Sequence, residues 1–245
     1  VTDGFLKKFG ERRIKDTPIS EQAFLGAGIG AAVAGLRPVV EFMSMSFTLV
    51  AFDQIVNMAA NLRYMSGGQI SVPMVIRAPT GAGVQLGATH SQSFETWLAE
   101  VPGMKVVCPS TPYDALGLMR SAIKDDNPVL VAEPALLYGA KGEVPDEYYE
   151  IEIGKADITR EGSDITLVSY GYGMRPVNDA AETLEGRGVS VEVIDMRSLS
   201  PIDMDTIVAS VQKTNRVVVV DNARRRGGVM AEVTADLQQV ASEWL

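Results

Sequence analysis

The chain contains one histidine, His90, in the stretch Gly87–Phe94 (GATHSQSF), between a glycine-containing loop and an expected helix start. An imidazole with an ordinary pKa of about 6.5 exchanges protons at neutral pH, so a loop position suits general acid–base work. A lone histidine is also compatible with plain packing. Glu21 is the other residue of interest: it opens a nearly featureless apolar helix, SEQAFLGAGIGAAVAGL. A carboxylate there can hold or share a proton, or simply complement the positive end of the helix by about 0.3–1 kcal/mol. One histidine and one cysteine cannot furnish a four-ligand zinc site. Cys108 falls in the apolar stretch KVVCPS, expected to be a buried strand, and a single cysteine forms no internal disulfide, which fits a reducing compartment.

Gly26, Gly28 and Ala31 satisfy the spacing G-x-G-x-x-A. A dinucleotide-binding turn needs a strand directly before that spacing, so that a helix N-terminus meets the pyrophosphate. Here SEQAFL precedes it, so the small residues lie inside a helix and serve close packing, at a subunit boundary or within the fold. The run Ala23–Leu36 is too short and glycine-rich to span a bilayer. With 22 Lys and Arg against 31 Asp and Glu, the net charge of −9 argues against a nucleic-acid or anionic-membrane surface.

These residues must be positioned by a scaffold, and the apolar pattern describes one: an α/β chain of two parallel-sheet domains. In the first, strands are expected near 13–16, 37–42, 73–77, 105–109 and 129–133, alternating with helices near 21–35, 47–66, 91–99 and 112–125. Residues 139–154 read as a charged connector. The second, smaller domain, 155–245, has strands in DITLVSYG, VSVEVIDM and RVVVVDNA, with helices near 175–186, 204–213 and at the end of the chain. Val1 is not a methionine and no signal-peptide pattern follows it, so a fragment or trimmed chain is expected.

The stretches DTPISEQAFLGAGIGAAVAGLRPVVEF, AFDQIVNMAANLRYMSGG, THSQSFETWLAEVPGMKVVCPSTPYDALGLMRSAIKDDNPVLVAEP and KADITREGSDITLVSYG resemble the beta subunits of the thiamine-diphosphate-dependent 2-oxoacid dehydrogenases. That resemblance covers nearly the whole chain. It implies a pyrimidine-binding domain (1–138) followed by a transketolase C-terminal-type domain. It also implies a split active site, in which an alpha subunit holds the magnesium diphosphate through a Gly-Asp-Gly motif that this sequence lacks. The expected assembly is an alpha2–beta2 heterotetramer serving a dihydrolipoyl acetyltransferase core. The expected reaction is oxidative decarboxylation of pyruvate with reductive acetylation of a lipoyl domain. Branched-chain 2-oxoacids and acetoin are alternative substrates, and a non-catalytic assembly subunit is the alternative of another class.

By position, the resemblance assigns Glu21 to a pyrimidine ring nitrogen of the cofactor, where a shared proton favours the tautomer able to accept the thiazolium proton. It assigns Phe47, with Met43, to the walls of the pyrimidine pocket, and His90 to the neighbourhood of the reacting carbon. It implies a potassium ion held mostly through carbonyl oxygens of Met74, Ala122, Asp125 and Asn127, although a helix C-terminus before Asn-Pro has the same sequence for structural reasons. Ser91 and Gln92 are expected to cap the next helix, and Arg77 with APTGAG to line the site or form a surface salt bridge. The segment DNARRRGGVMAEV is unusually basic for the family, and its arginines face an acidic partner or solvent. The compartment implied is the cytoplasm of a bacterium, or a mitochondrial matrix or plastid stroma.

Overall fold

The computed structural model describes residues 2–245; Val1 lies outside them. The helices are α1 (Phe5–Phe9), α2 (Glu21–Val33), α3 (Leu62–Met65), α4 (Glu95–Ala99), α5 (Pro112–Lys124), α6 (Met174–Glu185), α7 (Met204–Thr214) and α8 (Val229–Val240). The strands are β1 (Val39–Glu41), β2 (Val75–Thr80), β3 (Lys105–Val107), β4 (Val129–Pro134), β5 (Asp157–Arg160), β6 (Ile165–Ser169), β7 (Val191–Asp195), β8 (Ser198–Ser200) and β9 (Val217–Val219). They form two sheets, ordered β1-β2-β4-β3-β8 and β5-β7-β6-β9.

Valine-rich runs buried on both faces, such as Val75–Ala78 and Val129–Ala132, form the parallel centre of the first sheet, as expected of strands covered by helices on two sides. The parallel strands expected from the pattern form the centre of each sheet, and each sheet also carries one antiparallel edge, β8 on β3 and β5 on β7. The β8 edge joins the domains. The chain leaves the second sheet at Asp195, turns at Arg197 with φ 55°, and pairs with the first sheet, while the Cys108 amide donates to the Arg197 carbonyl at 2.8 Å. This strand covers the otherwise open edge of β3.

One apolar core runs from Leu25, Phe42 and Leu98 through Val168 and Tyr170 to Leu237, so the two sheets share an interior. Smaller clusters lie beneath α5 and α6. α2 sits close on the first sheet because Gly28 has no side chain: a Cβ there would lie 2.6 Å from Val40 Cγ2. Gly28 therefore serves packing within the fold, whereas Gly30 on the same helix faces open space.

Three expected elements differ. Residues 13–16 form a turn and irregular chain, since Arg12, Arg13, Lys15 and Asp16 are exposed and offer no apolar face to a sheet. The helix expected over 47–66 is a 3-10 segment (Met45–Ala51), a π segment (Gln54–Ala60) and α3. The helix expected from Ser91 begins only at Glu95, because the preceding residues are held in a loop.

Candidate functional site

The loop following β2 is pinned at both ends of its turn. Gly81 N donates to the Gln92 carbonyl at 3.1 Å, and a Cβ on Gly81 would lie 2.7 Å from the Ser91 backbone, so this close approach requires glycine. Within the loop the Leu86 amide donates to Ser91 Oγ at 2.8 Å, and Gln92 Nε2 donates to the Ala88 carbonyl at 2.7 Å. Ser91 and Gln92 thus brace the loop and do not cap α4, correcting the sequence expectation. The loop presents His90 in an exposed position, with Nδ1 3.0 Å from Thr89 Oγ1. Nε2 is left free toward solvent. A histidine oriented through one nitrogen and open at the other is arranged to exchange protons.

Phe47 is half-buried on the 3-10 segment and meets the His90 imidazole edge to face, with ring centroids 5.2 Å apart. Two of the expected site residues are therefore in contact. Met43, two residues after β1, is 64% exposed even though Phe42, Ser44, Met45 and Ser46 around it are buried. Glu21 lies in the first turn of α2, half-buried, and its carboxylate enters no side-chain hydrogen bond or ion pair among the described residues. α2 leans on the same segments through Phe24, whose ring packs on Phe42 at 5.2 Å, and through Gly26 against Gln54. An unpartnered acid, an outward-facing thioether and an aromatic ring could offer a flat nitrogen heterocycle a hydrogen-bond partner and apolar walls.

The four residues expected around potassium lie elsewhere, at the far end of α5. The Met74 carbonyl accepts from Val129 N at 3.0 Å, Ala122 is buried in the core under α5, and Asp125 Oδ1 accepts from Asn127 N and Nδ2 at 2.9 Å each. Two fixed cations already serve this corner. Lys105 pairs with the Asp125 carboxylate, which its hydrogen bond and charge help to lower below the usual range against the opposing effect of burial, and Arg37 donates to the carbonyls of Ile123 (3.0 Å) and Asp125 (2.8 Å). Arg77, the other basic candidate, is buried rather than on the surface. It forks onto Glu133 with two bonds of 2.7 Å and reaches Glu41 at 2.8 Å, forming one wall of a cleft of about 270 Å³ beside Pro134 and Tyr138.

Two buried acids whose carboxyls are raised to about 7 escaped the sequence reading. Glu95, 2% exposed, accepts from Thr80 Oγ1 at 2.8 Å, and burial pushes its carboxyl up to about 7. Asp195, 1% exposed, is likewise raised to about 7 by burial, and Ser110 donates to it across the domain boundary. Beside it Arg197 Nε lies 2.7 Å from Asp114 Oδ1, too bent for an aligned hydrogen bond and so an ion pair, while Nη2 reaches Asp157 at 2.9 Å. Neither acid sits in a motif. Only the strand-to-strand transit through Arg197 brings the second group together.

The sequence pattern of the transketolase pyrimidine-binding domain matches residues 1–141, and that of the transketolase C-terminal domain matches residues 154–244. The chain is 47% identical over 246 residues to the pyruvate dehydrogenase E1 component subunit beta of Rhizobium meliloti, covering 100% of this chain and 54% of that protein. It is 48% identical to the beta subunit of the acetoin:2,6-dichlorophenolindophenol oxidoreductase of Cupriavidus necator, covering 98% of this chain and 71% of the relative. This chain belongs to the transketolase-like family of dehydrogenase beta subunits. A chloroplastic beta subunit of Arabidopsis thaliana pyruvate dehydrogenase is 48% identical over the whole chain, which spans 60% of that relative. The chain thus spans between about half and three-fifths of the length of these two pyruvate dehydrogenase relatives. A split-gene transketolase, described as an inactive beta4 tetramer, superposes with a TM-score of 0.82 over 98% of this chain and 75% of the other, at 24% identity; this likeness concerns the fold. Among the described residues no helix is long and apolar enough to cross a membrane.

Proposed function

We propose that this chain is the beta subunit of a pyruvate dehydrogenase, acting with an alpha subunit in an alpha2–beta2 heterotetramer. In this reading the pair decarboxylates pyruvate and reductively acetylates a lipoyl group carried by a dihydrolipoyl acetyltransferase core. The observation that carries it is the contact of exposed His90 with Phe47, on a loop braced from both sides, close to the segments against which α2 and its unpartnered Glu21 pack. The domain division that goes with it is 1–138 for pyrimidine binding, 139–154 as connector and 155–245 for the transketolase C-terminal type.

When bound, thiamine diphosphate supplies the carbon nucleophile that adds to a 2-oxo group. Glu21 holds a proton at a ring nitrogen of the pyrimidine, and Phe47 and Met43 pack on that ring. His90 exchanges a proton with the reacting groups through its free Nε2, the Thr89 contact fixing the ring. Magnesium falls to the alpha subunit. Potassium is assigned to the carbonyl oxygens of Met74, Ala122, Asp125 and Asn127, in competition with Arg37 and Lys105; a higher melting temperature in potassium chloride than in choline chloride at equal ionic strength tests that assignment.

The acetoin relative, as similar as those that act on pyruvate, supports a second reading with acetoin as substrate. Competing the two substrates in one assay of the assembled enzyme separates them: the greater kcat/KM for pyruvate is expected, and a greater value for acetoin overturns the choice.

A further inference from the structure

Arg224, Arg225 and Arg226 are the only run of three cations in a chain of net charge −9. All three are exposed, and none takes part in any ion pair among the described residues. The nearest acid in sequence, Asp221, is turned inward. Its Oδ1 accepts from Tyr170 Oη at 2.9 Å and Ala223 N at 2.8 Å, and its Oδ2 accepts from Met230 N at 3.3 Å. The carboxylate is thus spent on holding the turn and the start of α8, and the guanidiniums stay uncompensated outside.

The turn also touches the other domain at one defined place. Arg224 Nη2 donates to Gln92 Oε1, and Gln92 is one of the braces of the His90 loop. The positive patch therefore borders the candidate site. None of the three arginines lines the cleft beside Arg77 or the one beside Leu237, and three guanidiniums on one exposed turn match a carboxylate-bearing protein surface.

We propose that the Arg224–Arg226 turn is a docking surface for a carboxylate-rich protein partner that works at the His90 loop. The purpose of the docking rests on the reading of His90 above; the attraction itself does not. Charge complementarity at a rim acts chiefly through association rate and is screened by salt, and both are measurable without turnover.

The test uses the full-length protein and a fluorescein-labelled hexaglutamate peptide as probe, followed by fluorescence anisotropy in low and high sodium chloride. Binding that weakens with salt and drops about tenfold or more in the R224E/R225E/R226E variant is expected, while the K7E/K8E control retains it. Unchanged binding in the triple variant, absent binding to the parent, or tighter binding of a short oligonucleotide than of the peptide overturns the proposal. Because the assay contains no cofactor or substrate, an inactive enzyme leaves its outcome intact.

Discussion

Around residues 81–93 the chain holds an imidazole out in solvent; around 110–114 and 195–197 it folds three charged or acidic groups and a serine into the interior. Backbone and amide bonds hold the first region, and its one titratable group keeps a nitrogen free. In the second, every acid has a partner: Asp195 with Ser110, Asp114 with Arg197, and Arg197 again with Asp157. The contrast separates chemistry from architecture. Paired ions fix how two domains meet, while groups without a charged partner on a rigid frame remain available to a ligand.

That contrast can be broken by substitution. In the assembled enzyme, Glu21→Gln is expected to lower kcat by about 10²–10⁴-fold with the tetramer intact, since an amide cannot share the proton; near-normal turnover would remove Glu21 from the site. Arg197→Met leaves Asp114 buried without its cation and is expected to destabilise the fold by about 3 kcal/mol or more, read as a lower denaturant midpoint. His90→Ala should do the reverse, costing about a hundredfold in turnover while the melting temperature stays put, as befits an exposed side chain.

Glu95 sharpens the comparison through pH. Its carboxyl is raised in the folded state, from an ordinary value near 4.5 to about 7, so the native protein binds a proton that the unfolded chain has released. Stability must then fall as pH rises from about 4.5 through 7, by something on the order of 3 kcal/mol at most. Glu95→Gln is expected to flatten this slope and raise the melting temperature at pH 8 more than at pH 5; a parallel shift at both pH values would show that burial is not the cause. The smallest effect belongs to Phe47→Leu, about 1 kcal/mol, seen as weaker cofactor binding.

Much of the frame was legible from pattern. Alternating valine runs and helices place β2, β4, β6 and β7 because strands buried on two faces leave an unmistakable apolar signal. β8 was not legible: Ser198–Ser200 carries no strand pattern and pairs only because the neighbouring edge of β3 is open. The break of 45–65 into 3-10, π and α segments was equally hidden. His90 stood out by being alone in the sequence, whereas its contact with Phe47, 43 positions away, comes from folding. Glu95 and Asp195 lacked any local signature, since a buried acid reads like a surface acid until its surroundings are known.

The central claim is that this chain carries half of a site. Carbon dioxide release from pyruvate, with thiamine diphosphate and magnesium supplied, should be measured for the chain alone and for the chain co-expressed with its alpha subunit. The account predicts turnover in the pair and none in the isolated chain. Turnover by the isolated chain would contradict it.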